Sequence, residues 1–241
     1  MSGSPRVSRR GILTAAVGAG AGAVIGAGVG ATAAQSDPAP LPAVSANEEL
    51  MYDHGILKRV LLCYREASRR LASVQPAGAA SGVAKAVSDG AELIRDFIES
   101  YHEGLEEAYV FPRLIAAGRS VDVVATLTTQ HDRGRHLTAT ILDVTADRLG
   151  TPAAQSALRE SLDAFVRMYE PHEAWEDTVI FPAFREITPD ATWRLLAERF
   201  ASEQDRLFGA NTLAQLVERV SAIETSLGIH DLASFTPTGT L

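Results

Sequence analysis

The chain has 241 residues, 46% of them hydrophobic and only 6% aromatic, a balance that favours helices and gives enough material for one sizeable core with appendages. A formal net charge of -8 argues against nucleic acid as a main partner, because affinity for phosphate backbones comes chiefly from Lys and Arg. The single cysteine, Cys63, excludes an internal disulfide and a CxxC metal or redox site. We therefore expect an all-α protein with one main domain.

Residues 1–35 are interpreted as a twin-arginine export signal. Arg9 and Arg10 stand just before the uncharged, Gly- and Ala-rich run 15–34. Small residues at its end suit signal peptidase, so we predict a mature chain from about Gln35, with an uncleaved membrane anchor as the alternative. The expected location is the periplasm, the cell envelope or the extracellular space. Residues 36–44, with three prolines, are predicted to form a linker.

Between residues 45 and 187, apolar residues at steps of three and four predict four amphipathic helices. The first begins at a capping box formed by Ser45 and Glu48, and the second ends before Gly118. Short joins between long helices predict an up-down antiparallel four-helix bundle. Each helix places one histidine in its apolar seam: His54, His102, His131 and His172.

The C-terminal part carries two shorter amphipathic stretches, at about 193–207 and 213–227. They predict a helical extension over 188–227 that packs on the bundle, followed by a flexible tail, 228–241. Cys63 falls off the apolar seam of the first helix, which predicts partial burial. Pro112 and Pro182 are expected to kink the second and fourth helices equivalently.

An internal repeat carries the candidate chemistry. Residues 102–112 read HEGLEEAYVFP and residues 172–182 read HEAWEDTVIFP, so His, Glu, Glu, Phe and Pro recur at identical offsets. Because residues four apart share a helix face, His102 with Glu106 and His172 with Glu176 form two chelating pairs. One earlier histidine precedes each pair, which predicts two halves related by a pseudo-twofold axis.

Imidazole nitrogens and carboxylate oxygens suit iron or manganese, and a carboxylate has two oxygens with which to bridge two cations. Buried carboxylates without such cations would cost on the order of several kcal/mol each. The pattern therefore predicts a dinuclear metal site inside the bundle.

With this pattern, residues 47–186 resemble the hemerythrin and HHE cation-binding family, whose bundles hold two irons bridged by carboxylates and oxygen. The resemblance implies a hemerythrin-like bundle with two oxo- or hydroxo-bridged iron ions, manganese and zinc ranking below iron. It implies bridging roles for Glu106 and Glu176, and it makes Glu103 and Glu173 candidates for additional ligands. The four histidines would be terminal ligands.

One position departs from the family pattern. Oxygen-carrying hemerythrins have a second histidine four residues after the one that matches His131, and here that position is Arg135. His136 comes one step late, about 100° further round the helix. This departure argues against simple reversible oxygen carriage.

Two acidic residues beside the repeat allow another interpretation. Asp177 matches the offset of a bridging residue in some oxygen carriers, so the second bridge is Glu176 or Asp177, and we favour Glu176 because Glu106 shares its offset. Otherwise Glu107 and Asp177 are expected to be solvated. His136 and His230 are expected at the surface.

The resemblance implies a metal-binding protein that binds or responds to oxygen, nitric oxide or peroxide, rather than a dedicated enzyme. Such a small molecule would be its partner, together with an unidentified redox partner, and membrane contact would come only through an uncleaved signal. A di-iron oxidase or ferroxidase is one alternative, but such enzymes generally use two Glu-x-x-His units and only Glu99 to His102 provides one. The other alternative is a structural bundle with a stabilising metal such as zinc.

Overall fold

A computed structural model describes residues 44–73, 79–147, 149–209 and 212–237 of the chain. The predicted signal and all but the last residue of the predicted linker lie outside these ranges. The described residues form helices and no strand, which confirms the all-α prediction. The six main helices are α1 (Ala46–Ala72), α2 (79–116), α3 (Val121–Asp147), α4 (152–187), α5 (Asp190–Phe208) and α6 (Thr212–Ser226).

The first four helices form the bundle. Helix α1 packs against α2 and α4, and α3 packs against the same two, so the four helices enclose one apolar core. Residues 117–120 join α2 to α3, and residues 148–151 join α3 to α4. Joins this short leave room only for antiparallel neighbours.

Helix ends follow the predicted signals. The Ser45 hydroxyl accepts a hydrogen bond from the Glu48 amide at 3.3 Å, and the Glu48 carboxylate accepts one from the Ser45 amide at 2.8 Å. This pair is the predicted capping box. After α2, Gly118 adopts a φ of 64°, a left-handed conformation in which glycine carries no Cβ penalty.

Helices α2 and α4 share one widened turn at equivalent places, and α2 has in addition a longer π-helical segment, Ile94–His102, where α4 is regular. The segments Glu106–Val110 and Glu176–Ile180 are π-helical, with the amides of Phe111 and Phe181 donating to the carbonyls five residues back. Pro112 or Pro182 follows, and neither has an N–H to continue the regular ladder. Each widened turn therefore begins at a glutamate of the repeat, and π-helical turns of this kind are frequent at functional sites.

Helices α5 and α6 cover part of the bundle. Helix α5 packs on α1, and α6 packs on α1 and on the first turns of α2. The prediction that Cys63 is only partly buried is wrong, since its exposed fraction is 1%. Helix α6 explains the difference, because Ile223 and Leu227 cover the thiol together with Ala86.

Two further features complete the described fold. The segment predicted as a flexible tail contains one short 3₁₀ turn, Leu232–Phe235. None of the helices in the described ranges combines the length and the hydropathy needed to cross a membrane.

Candidate metal centre

The six residues predicted as metal ligands meet in the middle of the bundle. Each of the four bundle helices contributes one histidine, and α2 and α4 add one glutamate each, from the turn that follows. All six side chains are buried, with exposed fractions of 0% to 3%. They are His54, His102, Glu106, His131, His172 and Glu176.

The six residues form two overlapping groups, in each of which one ligand atom per residue lies within 4.8 Å of all the others. The first subsite comprises His54, His102, Glu106 and Glu176, and the second comprises His131, His172, Glu106 and Glu176. Both glutamates therefore belong to both subsites.

Each glutamate faces one histidine of each subsite. Glu106 Oε1 lies 3.6 Å from His102 Nε2, and its other oxygen lies 3.5 Å from His131 Nε2. Glu176 Oε2 lies 3.3 Å from His54 Nε2 and 3.1 Å from His172 Nε2. Both carboxylates therefore lie between the histidines of the first subsite and those of the second.

The opposite nitrogen of each imidazole has its own oxygen partner. The Nδ1 atom of His54 lies 2.9 Å from Asp177 Oδ1, and that of His131 lies 2.9 Å from Glu107 Oε1. The remaining two contacts are His102 Nδ1 to Asp53 Oδ2 at 3.2 Å and His172 Nδ1 to Gln130 Oε1 at 2.9 Å. An N–H at Nδ1 that donates to such an oxygen fixes the tautomer and leaves Nε2 with a bare lone pair, as a metal ligand needs.

The two histidines of the first subsite face each other through their inner nitrogens. His54 Nε2 lies 3.1 Å from His102 Nε2. Without metal, a proton on one of these nitrogens can join them, and the raised pKa of His54 favours the proton on His54. With metal bound, a cation would take the place of that proton.

Burial and neighbouring charges shift the pKa values of the two shared carboxyl groups. Burial raises the pKa of Glu106 well above its ordinary value, and the neighbouring Glu176 charge raises it further. Burial also acts to raise the pKa of Glu176, but His172 and His54 outweigh it and hold that pKa below its ordinary value. One carboxylate of the pair is therefore stabilised as an anion while the other resists ionisation.

The surroundings shift the pKa values of the histidines in opposite directions. Burial lowers the pKa of His102 and of His131, so that both rings favour the neutral form that binds metal. At His54 burial also lowers the pKa, but contacts with Asp177 and Glu176 raise it, and the result is about 10.

Unpartnered buried atoms test whether a cation fits. Within the described residues, both carboxylate oxygens of Glu106 and of Glu176, and Nε2 of His131, form no hydrogen bond. Such atoms are costly when buried and are normally satisfied by a partner. A divalent cation in each subsite would satisfy them with nitrogen and oxygen donors, which suit iron and manganese.

The two candidates for additional ligands lie beside the subsites. Glu103 is buried, accepts a hydrogen bond from the Tyr169 hydroxyl at 2.7 Å and pairs with Arg135 at 2.9 Å. Burial raises the pKa of its carboxyl group to about 8. Glu173, its counterpart in the repeat, pairs with Lys58. Neither carboxylate belongs to the two subsites that share Glu106 and Glu176, and Arg135 and Lys58 neutralise them from the side. Glu103 does form a third group of possible ligands, with Glu107 and His131.

The position that departs from the family pattern has a structural role. The Arg135 guanidinium contacts Glu107 Oε1 at 2.6 Å as well as Glu103, outside the two subsites. His136 and His230 are both exposed, as predicted.

Glu176 and Asp177 differ in their position relative to the subsites. Glu176 belongs to both subsites, whereas Asp177 contacts the outer nitrogen of His54. Glu107 and Asp177, expected to be solvated rather than metal-bound, keep 36% and 30% of their side-chain surface exposed, and each also lies against the outer nitrogen of a histidine.

Two supporting residues were missed in the sequence. Asp53 and Gln130 each precede a predicted ligand, and they occupy equivalent positions in the two halves. The available signal was a polar residue in an apolar seam, immediately before a histidine. Adjacency along a helix, however, does not say which ring on another helix the residue will contact.

Comparisons with known proteins agree with this geometry. The family model described as Hemerythrin HHE cation binding domain matches residues 45–156 and 122–222. Two uncharacterized proteins, one from Mycobacterium tuberculosis and one from Mycobacterium bovis, are each 46% identical over 195 residues, which cover 80% of this chain and 74% of the relative. No solved structure matches. With its buried His/Glu cluster, this helical protein belongs to the hemerythrin HHE cation-binding domain family.

Proposed function

We propose that the bundle holds two iron ions and that the protein binds or responds to oxygen, nitric oxide or peroxide at this centre. One observation carries the proposal: Glu106 and Glu176 each face one histidine of each subsite. Two carboxylates placed in this way are suited to bridging a pair of cations. Iron is favoured over zinc by the resemblance to hemerythrins, and the imidazole nitrogens and shared carboxylates are donors that suit it.

The donor count supports a role with a small external ligand. Each subsite offers two imidazole nitrogens and oxygens from two shared carboxylates. Iron ions held by histidine and carboxylate commonly keep open positions for an added ligand. When bound, the two ions would supply redox chemistry toward oxygen, nitric oxide or peroxide, while the chain orients the histidines through their Nδ1 contacts and excludes bulk water by burial.

The first experiment is a metal analysis of the chain from Gln35 onward, purified after iron loading, with a visible spectrum in air and without oxygen. The expected result is about two irons per chain with an oxo-bridge absorption in air, consistent with the two subsites. His131→Ala is expected to lose metal, and His136→Ala is its matched control, because His136 is exposed on the same helix. Preparations without iron, or with zinc alone, would overturn the proposal.

We further propose export by the twin-arginine route, which the adjacent Arg9 and Arg10 before an uncharged apolar run support. A double change of both arginines to lysine keeps the charge and is expected to retain the protein inside the cell. Fractionation of the cells checks this result, and unchanged export would contradict it.

A further inference from the structure

A cleft opens between α3 and α4 beside the second subsite. Its volume is about 340 Å³, and His172 and Gln130 lie among its lining residues. The apolar part of the lining comes from Leu127, Pro171 and Trp175. Pockets that bind small organic ligands begin at about this size.

The pseudo-twofold counterpart of this cleft is closed. Tyr101 and Leu105 occupy the repeat positions of Pro171 and Trp175, and both are buried. Helix α5 covers that side, where the Tyr101 hydroxyl donates to the Phe200 carbonyl at 3.1 Å. The chain therefore covers one of the two equivalent surfaces with its own helix and leaves the other open.

The lining of the open cleft selects for a neutral aromatic ligand. Trp175 is 51% exposed and offers an indole face for stacking. The one charged residue in the lining is Asp122, which disfavours anions. Gln130 accepts from His172 through Oε1, so among the described residues its amide NH₂ has no partner and can donate to a ligand oxygen.

We propose that this cleft binds a neutral quinone or hydroquinone, the redox partner of the metal centre. Its flat ring packs on Trp175, and its oxygen accepts from the Gln130 amide. Gln130 Oε1 in turn lies 2.9 Å from His172 Nδ1, so Gln130 would connect the quinone to a candidate metal ligand. Oxidation of one hydroquinone to the quinone releases two electrons and two protons. Two ferric ions held in the two subsites would take up one electron each, which matches this number, and the protons would pass to water at the open mouth of the cleft. This inference rests on the proposed function.

The test uses duroquinone, a fully substituted quinone that does not add to protein nucleophiles. The chain has two tryptophans, so a Trp193→Phe background leaves Trp175 as the fluorescent reporter in the cleft. Thr126→Phe in this background fills the cleft, because Thr126 lines it and is exposed. Thr129→Phe is the matched control, since both threonines are exposed on α3 and both bond the carbonyl four residues back.

We expect saturable quenching of Trp175 fluorescence by duroquinone, with at least about tenfold weaker binding in the Thr126→Phe variant and unchanged binding in Thr129→Phe. A tenfold loss is the size expected when a pocket-filling side chain displaces a small ligand. Quenching that rises linearly without saturation, or equal binding in both variants, would overturn the inference.

The titration is run on metal-free and on iron-loaded protein, so that two failures can be told apart. Iron uptake without saturable duroquinone binding overturns the cleft assignment and leaves the di-iron proposal standing. Saturable binding to a protein that takes up no iron supports the cleft and overturns its redox role. With iron bound, durohydroquinone is expected to bleach the oxo-bridge absorption, more slowly in Thr126→Phe than in Thr129→Phe, and equal rates would contradict the redox role.

Discussion

The Nδ1 atom of His54 lies 2.9 Å from Asp177, and the equivalent contact in the other half joins His131 to Glu107 at the same distance. Each contact crosses between the halves of the internal repeat, because the carboxylate follows the shared glutamate of one half and the ring belongs to the other. The two contacts therefore tie the orientation of each ring to the position of a glutamate, on another helix, that both subsites share.

Removal of this support is expected to weaken metal binding without abolishing it. Asp177→Ala deletes the acceptor at His54 Nδ1, so the ring loses its fixed tautomer and orientation. Loss of such an outer contact typically lowers metal affinity by about 10- to 100-fold. Competition with a chromophoric chelator measures the change.

The matched control for Asp177→Ala is Glu160→Ala, an exposed carboxylate on the same helix, which is expected to leave affinity unchanged. Glu176→Gln should have a larger effect than Asp177→Ala, because Glu176 belongs to both subsites. Equal affinities for Asp177→Ala and the unaltered protein would show that the contact does not orient the ligand.

The positions of the six central residues could be predicted from the sequence, because helical periodicity and an internal repeat act together. A histidine in an apolar seam must point inward, and a glutamate four residues later shares its face. Two copies of this pair, with a histidine on each remaining helix, leave little freedom in how the side chains meet.

Contacts between helices could not be predicted in the same way. The partner of His102 is Asp53, on α1, and that of His172 is Gln130, on α3. These pairings depend on the rotation and axial offset of neighbouring helices, which a single-helix periodicity does not contain. The prediction that Cys63 is only partly buried failed for the same reason, because the residues that cover the thiol lie on α6.

Gly134 is expected to be intolerant of a side chain. A Cβ atom at this position would lie 1.9 Å from the Tyr169 hydroxyl oxygen, which is itself held by Glu103. Gly134→Ala should therefore lower the free energy of unfolding by about 1–3 kcal/mol, as overpacking of a core does. Gly55→Ala is the control, because nothing lies within 4 Å of its Cβ, and it should be neutral or stabilising by up to about 1 kcal/mol. Chemical denaturation compares the two, and equal stabilities would contradict the predicted clash.

Cys63 should report on the docking of α6. Burial raises the pKa of its thiol to about 12, so at pH 8 little thiolate forms and a thiol reagent should react slowly with the folded protein. Glu224 holds α6 to α1 through two hydrogen bonds with Arg59, at 2.7 and 2.6 Å. Glu224→Ala should loosen α6 and speed the reaction at least severalfold. The control is Glu218→Ala, an exposed position on the same helix, and equal rates for the two variants would show that α6 is held without this pair.

The shared glutamates should make the metal-free protein less stable than a variant that lacks one of them. Glu106 is fully buried, neither of its oxygens forms a hydrogen bond within the described residues, and burial raises its pKa. Without a cation, Glu106→Gln replaces this carboxyl group by a neutral amide of similar shape. At neutral pH the unfolded chain ionises this carboxyl group whereas the folded protein keeps it protonated, and each unit by which folding raises the pKa costs about 1.4 kcal/mol. Removing the group should therefore raise the free energy of unfolding of the metal-free protein by at least about 1 kcal/mol.

Iron should reverse that order. A ligand that binds only the folded state adds RT ln(1 + [L]/Kd) to the free energy of unfolding, so the Tm of the unaltered protein should rise on loading with ferrous iron. Glu106→Gln keeps a single oxygen, so it can offer an oxygen to one subsite but not to both, and it should gain much less. Thermal unfolding with and without iron checks both halves of the prediction, with Glu92→Gln as an exposed control on α2 that should follow the unaltered protein in both conditions. A Glu106→Gln variant that is less stable than the unaltered protein without metal, yet gains as much Tm from iron, would mean that this carboxylate serves packing. Removal of a bridging ligand should lower the stability of the iron-loaded protein alone.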